Sequence, residues 1–148
     1  MKKFFGSIIC FCFISFYFFK VEKVQSIVPY YYLPDKNFLK KESLSIGKSA
    51  YQLLYFGQYK ESLNLAKLAI QINKTDEKLW LILSEAEVAN KLYKNALISL
   101  NKAQKINSKN SETYFAKSNI YLKISQLQNA KIALETSLKI ESNNHKAI

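Results

Sequence analysis

One amphipathic pattern occurs three times in this 148-residue chain, at a fixed spacing of 34 residues. Three sets of positions carry it: Ile72, Ile106 and Ile140; Tyr59, Tyr93 and Leu127; and the small residues Ala50, Ser84 and Ser118. The agreement fails at Lys131, which stands where the earlier copies have Leu63 and Leu97. A constant period of roughly 20–50 residues indicates a repeat protein, because each unit needs its neighbours to bury its apolar face.

Each unit divides into two amphipathic helices. Gly and Pro, which mark loops and β-turns, are scarce, with three and two copies in the chain. We predict helices over 43–56, 59–73, 77–90, 93–107, 111–124 and 127–140, with Ser43, Asp76 and Ser111 as N-caps. The connections are short, so paired helices run antiparallel. The predicted fold class is an all-α solenoid of three helix-turn-helix units, preceded by an apolar N-terminal segment.

The pattern resembles the tetratricopeptide repeat (TPR), whose period is 34 residues. The similarity covers 43–144, divided into units 43–76, 77–110 and 111–144, and residues 145–148 begin a further unit. Trp80 has the family's aromatic place, where the other copies have Ile46 and Tyr114. Gly57 and Tyr59 match the motif at the turn between paired helices. The turn glycine is present only in the first copy and the family's terminal proline in none, departures that bear on the turns rather than on the fold.

The resemblance implies a binding groove. In TPR proteins the first helix of each unit lines a concave surface that takes extended peptides or partner helices. The positions that match this surface are Lys48, Tyr51, Tyr55, Leu81, Ile82, Glu85, Phe115, Asn119 and Lys123. Most aromatic side chains at helical spacing pack in a core, and we expect Tyr51 and Phe115 to be the exposed ones. The positions of the family's carboxylate clamp hold Gly47, Tyr51, Ile82, Glu112 and Ala116, which disfavours the C-terminal tail of a chaperone as partner.

The first 23 residues have the pattern of an export signal. Lys2 and Lys3 precede an uncharged apolar run, Phe4–Phe19, and Lys20 follows it. The run is shorter than the roughly 20 residues of a spanning helix, and no A-x-A cleavage site follows. A cleaved signal peptide and an uncleaved signal-anchor helix both remain open. Residues 24–42 read as an extended linker whose tyrosines lie at a membrane interface or pack on the first repeat helix.

Residues for catalysis, cofactors or metals are missing from the sequence. His145 is the single histidine and has no Cys or carboxylate at ligand spacing, and Cys10 and Cys12 do not share a helix face. The nucleophile, zinc-protease and phosphate-loop motifs are absent. The net charge is +11, but every basic residue is Lys and the lysines are scattered. Bidentate arginine contacts to bases are therefore impossible, and we expect neither an enzyme nor a nucleic-acid-binding protein.

The predicted function is a protein-interaction scaffold that holds a partner peptide or helix at a membrane and assists complex assembly. The alternative is an exported soluble TPR domain in a periplasm or lumen after signal cleavage. A further expectation concerns Leu134 and Leu138, which no later helix of this chain covers. Three explanations stay open: a longer repeat array, a partner or second copy that covers them, or a final helix that tilts inward and shields them with lysines.

Overall fold

The computed structural model describes residues 35–146, with side chains to residue 143. This part of the chain consists of helices and short connections: α1 Lys36–Tyr55, α2 Tyr59–Ile72, α3 Glu77–Ala89, α4 Tyr93–Ile106, α5 Ser111–Lys123 and α6 Leu127–Lys146. The all-α repeat prediction is confirmed. The predicted signal or anchor segment, 1–23, lies outside the described residues. Within those residues, we find no helix with the length and apolarity needed to cross a bilayer.

Two predicted helix boundaries and one predicted N-cap differ from the structure. α1 begins at Lys36, so residues 36–42 are helical rather than linker, and these seven residues contain neither Gly nor Pro. Ser43 is consequently no N-cap but a buried residue within α1, where its hydroxyl donates to the Lys40 carbonyl at 2.7 Å. At the other end, α6 continues to Lys146 instead of starting a new unit at residue 145.

The helix N-caps repeat with the 34-residue period. Asp76 caps α3 as predicted, because its carboxylate accepts the backbone N–H of Lys78 at 2.9 Å. The equivalent residue of the next unit is Asn110, whose side-chain oxygen accepts the N–H of Glu112 at 3.0 Å. Asn110, rather than the predicted Ser111, is therefore the N-cap of α5. Both caps satisfy a backbone donor that the first helical turn leaves free.

The three turns within the helix pairs share one geometry, although only the first contains glycine. Gly57, Lys91 and Ser125 have positive φ angles of 74°, 61° and 60°. The N–H of the next residue then reaches back to a helix carbonyl: Gln58 to Leu53 at 2.9 Å, Leu92 to Glu87 at 2.8 Å and Gln126 to Tyr121 at 2.8 Å. This is the Schellman arrangement. The second and third turns therefore follow the same backbone path without glycine, and Lys91 and Ser125 adopt a strained conformation there.

We expect Ser125→Gly to raise the free energy of unfolding by about 0.5–1 kcal/mol. The left-handed conformation costs a residue with a Cβ about 1–2 kcal/mol, and glycine removes this cost. Glycine also makes the unfolded chain more flexible, which offsets part of the gain. Urea unfolding measures the change. Gly57→Ala is the matched reverse substitution and should lower stability, since open space around Gly57 leaves only the backbone cost. If both variants shift stability in the same direction, the turn geometry is not the cause.

Two apolar clusters form the core and share one residue. The first contains Ala50, Ala66, Ala69, Ile70, Leu79, Leu83 and Ala86, and the second contains Leu81, Ala96, Leu100, Ala103 and Ile120. Trp80 is partly buried against both clusters, so it connects the first helix pair to the second and third. Its indole N–H donates to the Lys74 carbonyl at 2.9 Å, and Tyr114 makes the equivalent bond to Ser108 at 3.2 Å.

The last helix packs on α5 with one face only. Its buried residues include Ala130, Ala133 and Ser137, and the Ser137 hydroxyl donates to the Ser111 carbonyl at 2.8 Å. Leu134 and Leu138 are 40% and 57% exposed. Their exposure agrees with the prediction that an apolar stripe of the final helix remains uncovered within the described chain.

Candidate functional site

The first helices of the three units, α1, α3 and α5, provide the surface on which a groove was predicted. α1 approaches α3 closely because position 47 is glycine. A Cβ on Gly47 would lie 2.5 Å from Leu79 Cδ2 and 3.4 Å from Ile82 Cδ1. Gly47 is also one of the clamp positions, and here its role is to let two helices touch. No open space for a ligand side chain is left at that point.

Between α3 and α5 the helices leave a cavity of about 420 Å³. Small residues of both helices, Ser84, Ala89 and Ala116, line it without filling it. The wall also includes Val88 and the side of Phe115. The cavity is therefore mainly apolar, and it opens on the same side of the repeat as the predicted groove. A volume of this size is typical of a site for one or two side chains or a small ligand.

Two carboxylates face this cavity from opposite helices, Glu85 on α3 and Glu112 on α5. Glu85 is an exposed residue, but partial desolvation of its carboxyl by the cavity wall raises the pKa of that group, and the negative charge of Glu112 raises it further. The one ion pair within 4 Å in the described part of the chain joins Lys131 to Glu135, so no lysine there neutralises either carboxylate by direct contact. Lys123 and Asn119 also line the cavity. The largely apolar wall of this cavity thus carries two carboxylates and one ammonium group, in a chain of net charge +11.

Seven of the nine predicted groove residues are exposed on this side of the repeat. Four of them line the cavity: Glu85, Phe115, Asn119 and Lys123. Three others lie on α1, where Lys48 is exposed and Tyr51 and Tyr55 are 55% and 86% exposed. Phe115 is 51% exposed. The exposure of Tyr51 and Phe115 agrees with the expectation that these two aromatic residues lie on the surface.

The other two predicted groove residues, Leu81 and Ile82, are not exposed in the structure. Leu81 is 7% exposed and packs in the second core cluster with Leu100 and Ile120. It is buried because its position faces the following unit, as Gly47 does one unit earlier. Ile82 is half-buried against the first cluster and the Gly47 backbone. Neither side chain is freely available to a partner.

Two cavity features were missed by the sequence reasoning. Val88 and Ala89 lie three and four residues after Glu85, and Glu112 lies three residues before Phe115. Residues three or four apart share a helix face, so the helical period already placed Val88 and Ala89 beside Glu85 and placed Glu112 beside Phe115. Glu112 and Ala116 had been considered only as clamp positions. Their combination with Glu85 depends on two helices that are far apart in sequence.

The remaining buried charges are used inside the fold. The Ser99 hydroxyl donates to the Glu87 carboxylate at 2.7 Å; burial raises the pKa of Glu87, while Ser99 and the charge of Lys67 oppose that shift. Lys117 donates to the Gln104 side-chain oxygen and lies 5.8 Å from the centre of the Tyr114 ring. Burial lowers the pKa of Lys117. In the part of the chain that the structure describes, no three His, Cys, Asp or Glu residues cluster as metal ligands.

Comparison with known proteins relates one half of the chain to a much longer protein. No protein-family model matches the chain. Sperm-associated antigen 1 from Rattus norvegicus is 40% identical over 76 residues, which is 49% of this chain and 8% of that protein. The same protein from Mus musculus matches to the same extent. The matched region is thus a small fraction of these relatives.

Solved structures match the fold over most of the described chain. The type III secretion translocator chaperone SycD of Yersinia enterocolitica matches with a TM-score of 0.66 and 16% identity, over 70% of this chain and 78% of that one. The second TPR of Spaghetti (RPAP3), bound to the HSP90 peptide SRMEEVD, has a TM-score of 0.64 and 17% identity, with coverage of 68% and 94%. PcrH in complex with the chaperone-binding region of PopB has a TM-score of 0.65 and 13% identity, with coverage of 70% and 83%.

Proposed function

We propose that this chain, a tetratricopeptide-repeat protein by its fold, binds a short segment of another protein on the surface of α1, α3 and α5. The observation that carries the proposal is the cavity of about 420 Å³ between α3 and α5, which is largely apolar and has two carboxylates, neither in an ion pair with a lysine of the described residues. Spaghetti and PcrH, which share the fold, are complexed with an HSP90 peptide and with a region of PopB. These complexes support a peptide-binding scaffold without chemistry of its own.

The chemistry of the cavity favours a segment with an apolar side chain next to Lys or Arg. The apolar side chain fills the space between Val88, Ala116 and Phe115. The basic group then lies between Glu85 and Glu112, where it relieves their mutual repulsion. An acidic segment such as the SRMEEVD peptide of the Spaghetti complex would meet these same carboxylates and be repelled. The proposed partner segment is therefore basic, whereas the SRMEEVD peptide is acidic.

The proposed place of this interaction is a membrane. The support is the apolar run Phe4–Phe19 between lysines, the pattern of an export signal or signal anchor. A scaffold held there would collect a membrane protein's exposed segment and assist the assembly of a complex. The exported soluble domain is the alternative, and determining the N-terminal residue of the mature protein distinguishes them.

A peptide library screened with the full-length chain in mild detergent tests the proposal. We expect enrichment of sequences in which an apolar residue adjoins Lys or Arg. Glu85→Gln combined with Glu112→Gln should weaken the best peptide about 10-fold, equal to about 1.4 kcal/mol. Glu61→Gln, on the exposed surface of α2, is the matched control and should leave binding unchanged. Enrichment of acidic peptides, or equal loss in both variants, would contradict the proposed ligand class.

A further inference from the structure

The three turns within helix pairs lie at one edge of the repeat. Each pair is an antiparallel hairpin and the hairpins stack side by side, so the connections 56–58, 90–92 and 124–126 come out at the same end. A direct contact joins the first two, because the Asn90 side-chain amide donates to the Tyr59 carbonyl at 2.8 Å. We call residues 55–60, 90–94 and 122–127 the turn edge.

Large apolar side chains protrude from the turn edge into solvent. The exposed ones are Tyr55, Phe56, Tyr59, Leu92, Leu122 and Leu127. Tyr55, Phe56 and Leu127 are 86%, 71% and 69% exposed, so they contribute little to the core. The rings of Tyr55 and Phe56 meet edge to face with centroids 5.5 Å apart. Their prominence at a turn tip, rather than in a recess, suits insertion into a deformable surface.

The charges of the turn edge all have one sign. Lys60, Lys91, Lys94 and Lys123 lie on it, and its three segments contain no Asp or Glu. Lys123 also lines the cavity, at the end where the cavity meets this edge.

The opposite edge of the repeat differs mainly in its lack of apolar tips. Its connections, 73–76 and 107–110, contain no large apolar residue; the first contains Lys74 and Asp76, and the second contains Lys109 as its single charged residue. The exposed apolar side chains near it, Phe38, Leu39 and Ile106, lie on α1 and α4 rather than in the connections. The combination of apolar tips and lysines in segments without an acidic residue therefore belongs to the turn edge, and Glu61 is the acidic residue that follows it directly, after Lys60.

We propose that the turn edge docks on the surface of an anionic lipid bilayer. Phe and Leu side chains enter the acyl boundary, and tyrosines suit the interface because the ring is apolar and the hydroxyl stays in water. Lysines with flexible apolar stems then reach the lipid phosphates, and a negative leaflet attracts them. The proposal does not depend on peptide binding in the cavity between α3 and α5, although Tyr55 and Lys123 belong to both the predicted groove and the turn edge.

Bromolipid quenching of a single tryptophan tests this in the full-length chain. Trp80→Phe removes the native indole, and Phe56→Trp or Leu127→Trp introduces one at the turn edge. Vesicles contain brominated phosphatidylcholine with or without phosphatidylserine, and circular dichroism verifies that each variant is folded. We expect a blue shift and strong loss of emission at both positions with phosphatidylserine present. Ile98→Trp, exposed on α4 away from the edge, is the matched control and should keep its emission.

Charge reversal separates this edge from a diffuse electrostatic attraction. Lys91→Glu with Lys94→Glu should reduce quenching at position 56 to the level seen without phosphatidylserine. Lys67→Glu with Lys102→Glu makes the same charge change on the outer surfaces of α2 and α4 and should leave quenching unaltered. Equal quenching at positions 56 and 98, or equal loss in both lysine pairs, overturns the proposal. The proposal is also overturned if the emission of Trp at position 56 shifts when an acidic protein is added and does not shift when lipid vesicles are added.

Discussion

Trp80→Ala is expected to lower the free energy of unfolding by about 3–5 kcal/mol, the usual cost of removing a large aromatic side chain from a core. The indole contacts both apolar clusters, so its loss opens space in each and weakens the attachment of one helix pair to the next. It also leaves the Lys74 carbonyl without its 2.9 Å donor. Urea unfolding followed by circular dichroism measures the change, and the transition should also broaden as the repeats separate.

Two control variants show whether packing is the cause. Trp80→Phe keeps much of the ring contact and loses the hydrogen bond, so it should cost clearly less than alanine. Leu68→Ala removes a 42% exposed side chain from α2 and should change stability by no more than about 0.5 kcal/mol. A Trp80→Ala protein that unfolds at the same urea concentration as the parent would mean that the indole does not join the clusters.

Tyr51→Ala combined with Phe115→Ala is expected to weaken binding of a captured peptide about 100-fold or more, at unchanged helicity. Exposed aromatic residues supply large contact area at low entropy cost, and each residue at the centre of an interface is worth about 2 kcal/mol or more. Both side chains are more than half exposed, so their removal opens no core cavity. Titration of the best library peptide measures affinity, and circular dichroism measures helicity.

The control variant also loses two exposed apolar side chains, but from helices outside the groove. Leu68→Ala with Ile98→Ala removes exposed side chains from α2 and α4, the second helices of their units, and should leave affinity unchanged. Lys67→Glu with Lys102→Glu should alter only the salt dependence of binding. If the lysine variant loses more affinity than the aromatic variant, the chain acts as an electrostatic tether and the groove is not the site.

The period and the helix ends were open to prediction because they depend on local signals. Spacing of apolar residues, caps such as Asp76, and the scarcity of Gly and Pro within helices act over a few residues. The same reasoning failed at Ser43 and Ser111. Serine also forms a hydrogen bond within a helix, as Ser43 does with Lys40, so its presence alone does not mark an N-terminus.

The environment of each repeat position was decided only by the tertiary structure. Gly47, Leu81 and Phe115 occupy one position at the 34-residue step, yet Gly47 allows two helices to touch, Leu81 is 7% exposed in a core and Phe115 is 51% exposed beside the cavity. In the first two units this position faces the following unit, so the burial of Gly47 and Leu81 depends on which side chains that unit presents, whereas Phe115 borders the cavity shared with α3. The pairing of Glu85 with Glu112 across the cavity has the same origin. The amino-acid sequence therefore determined the helices and their period, while the packing of neighbouring units determined the site, because contacts between side chains distant in the chain have no local pattern.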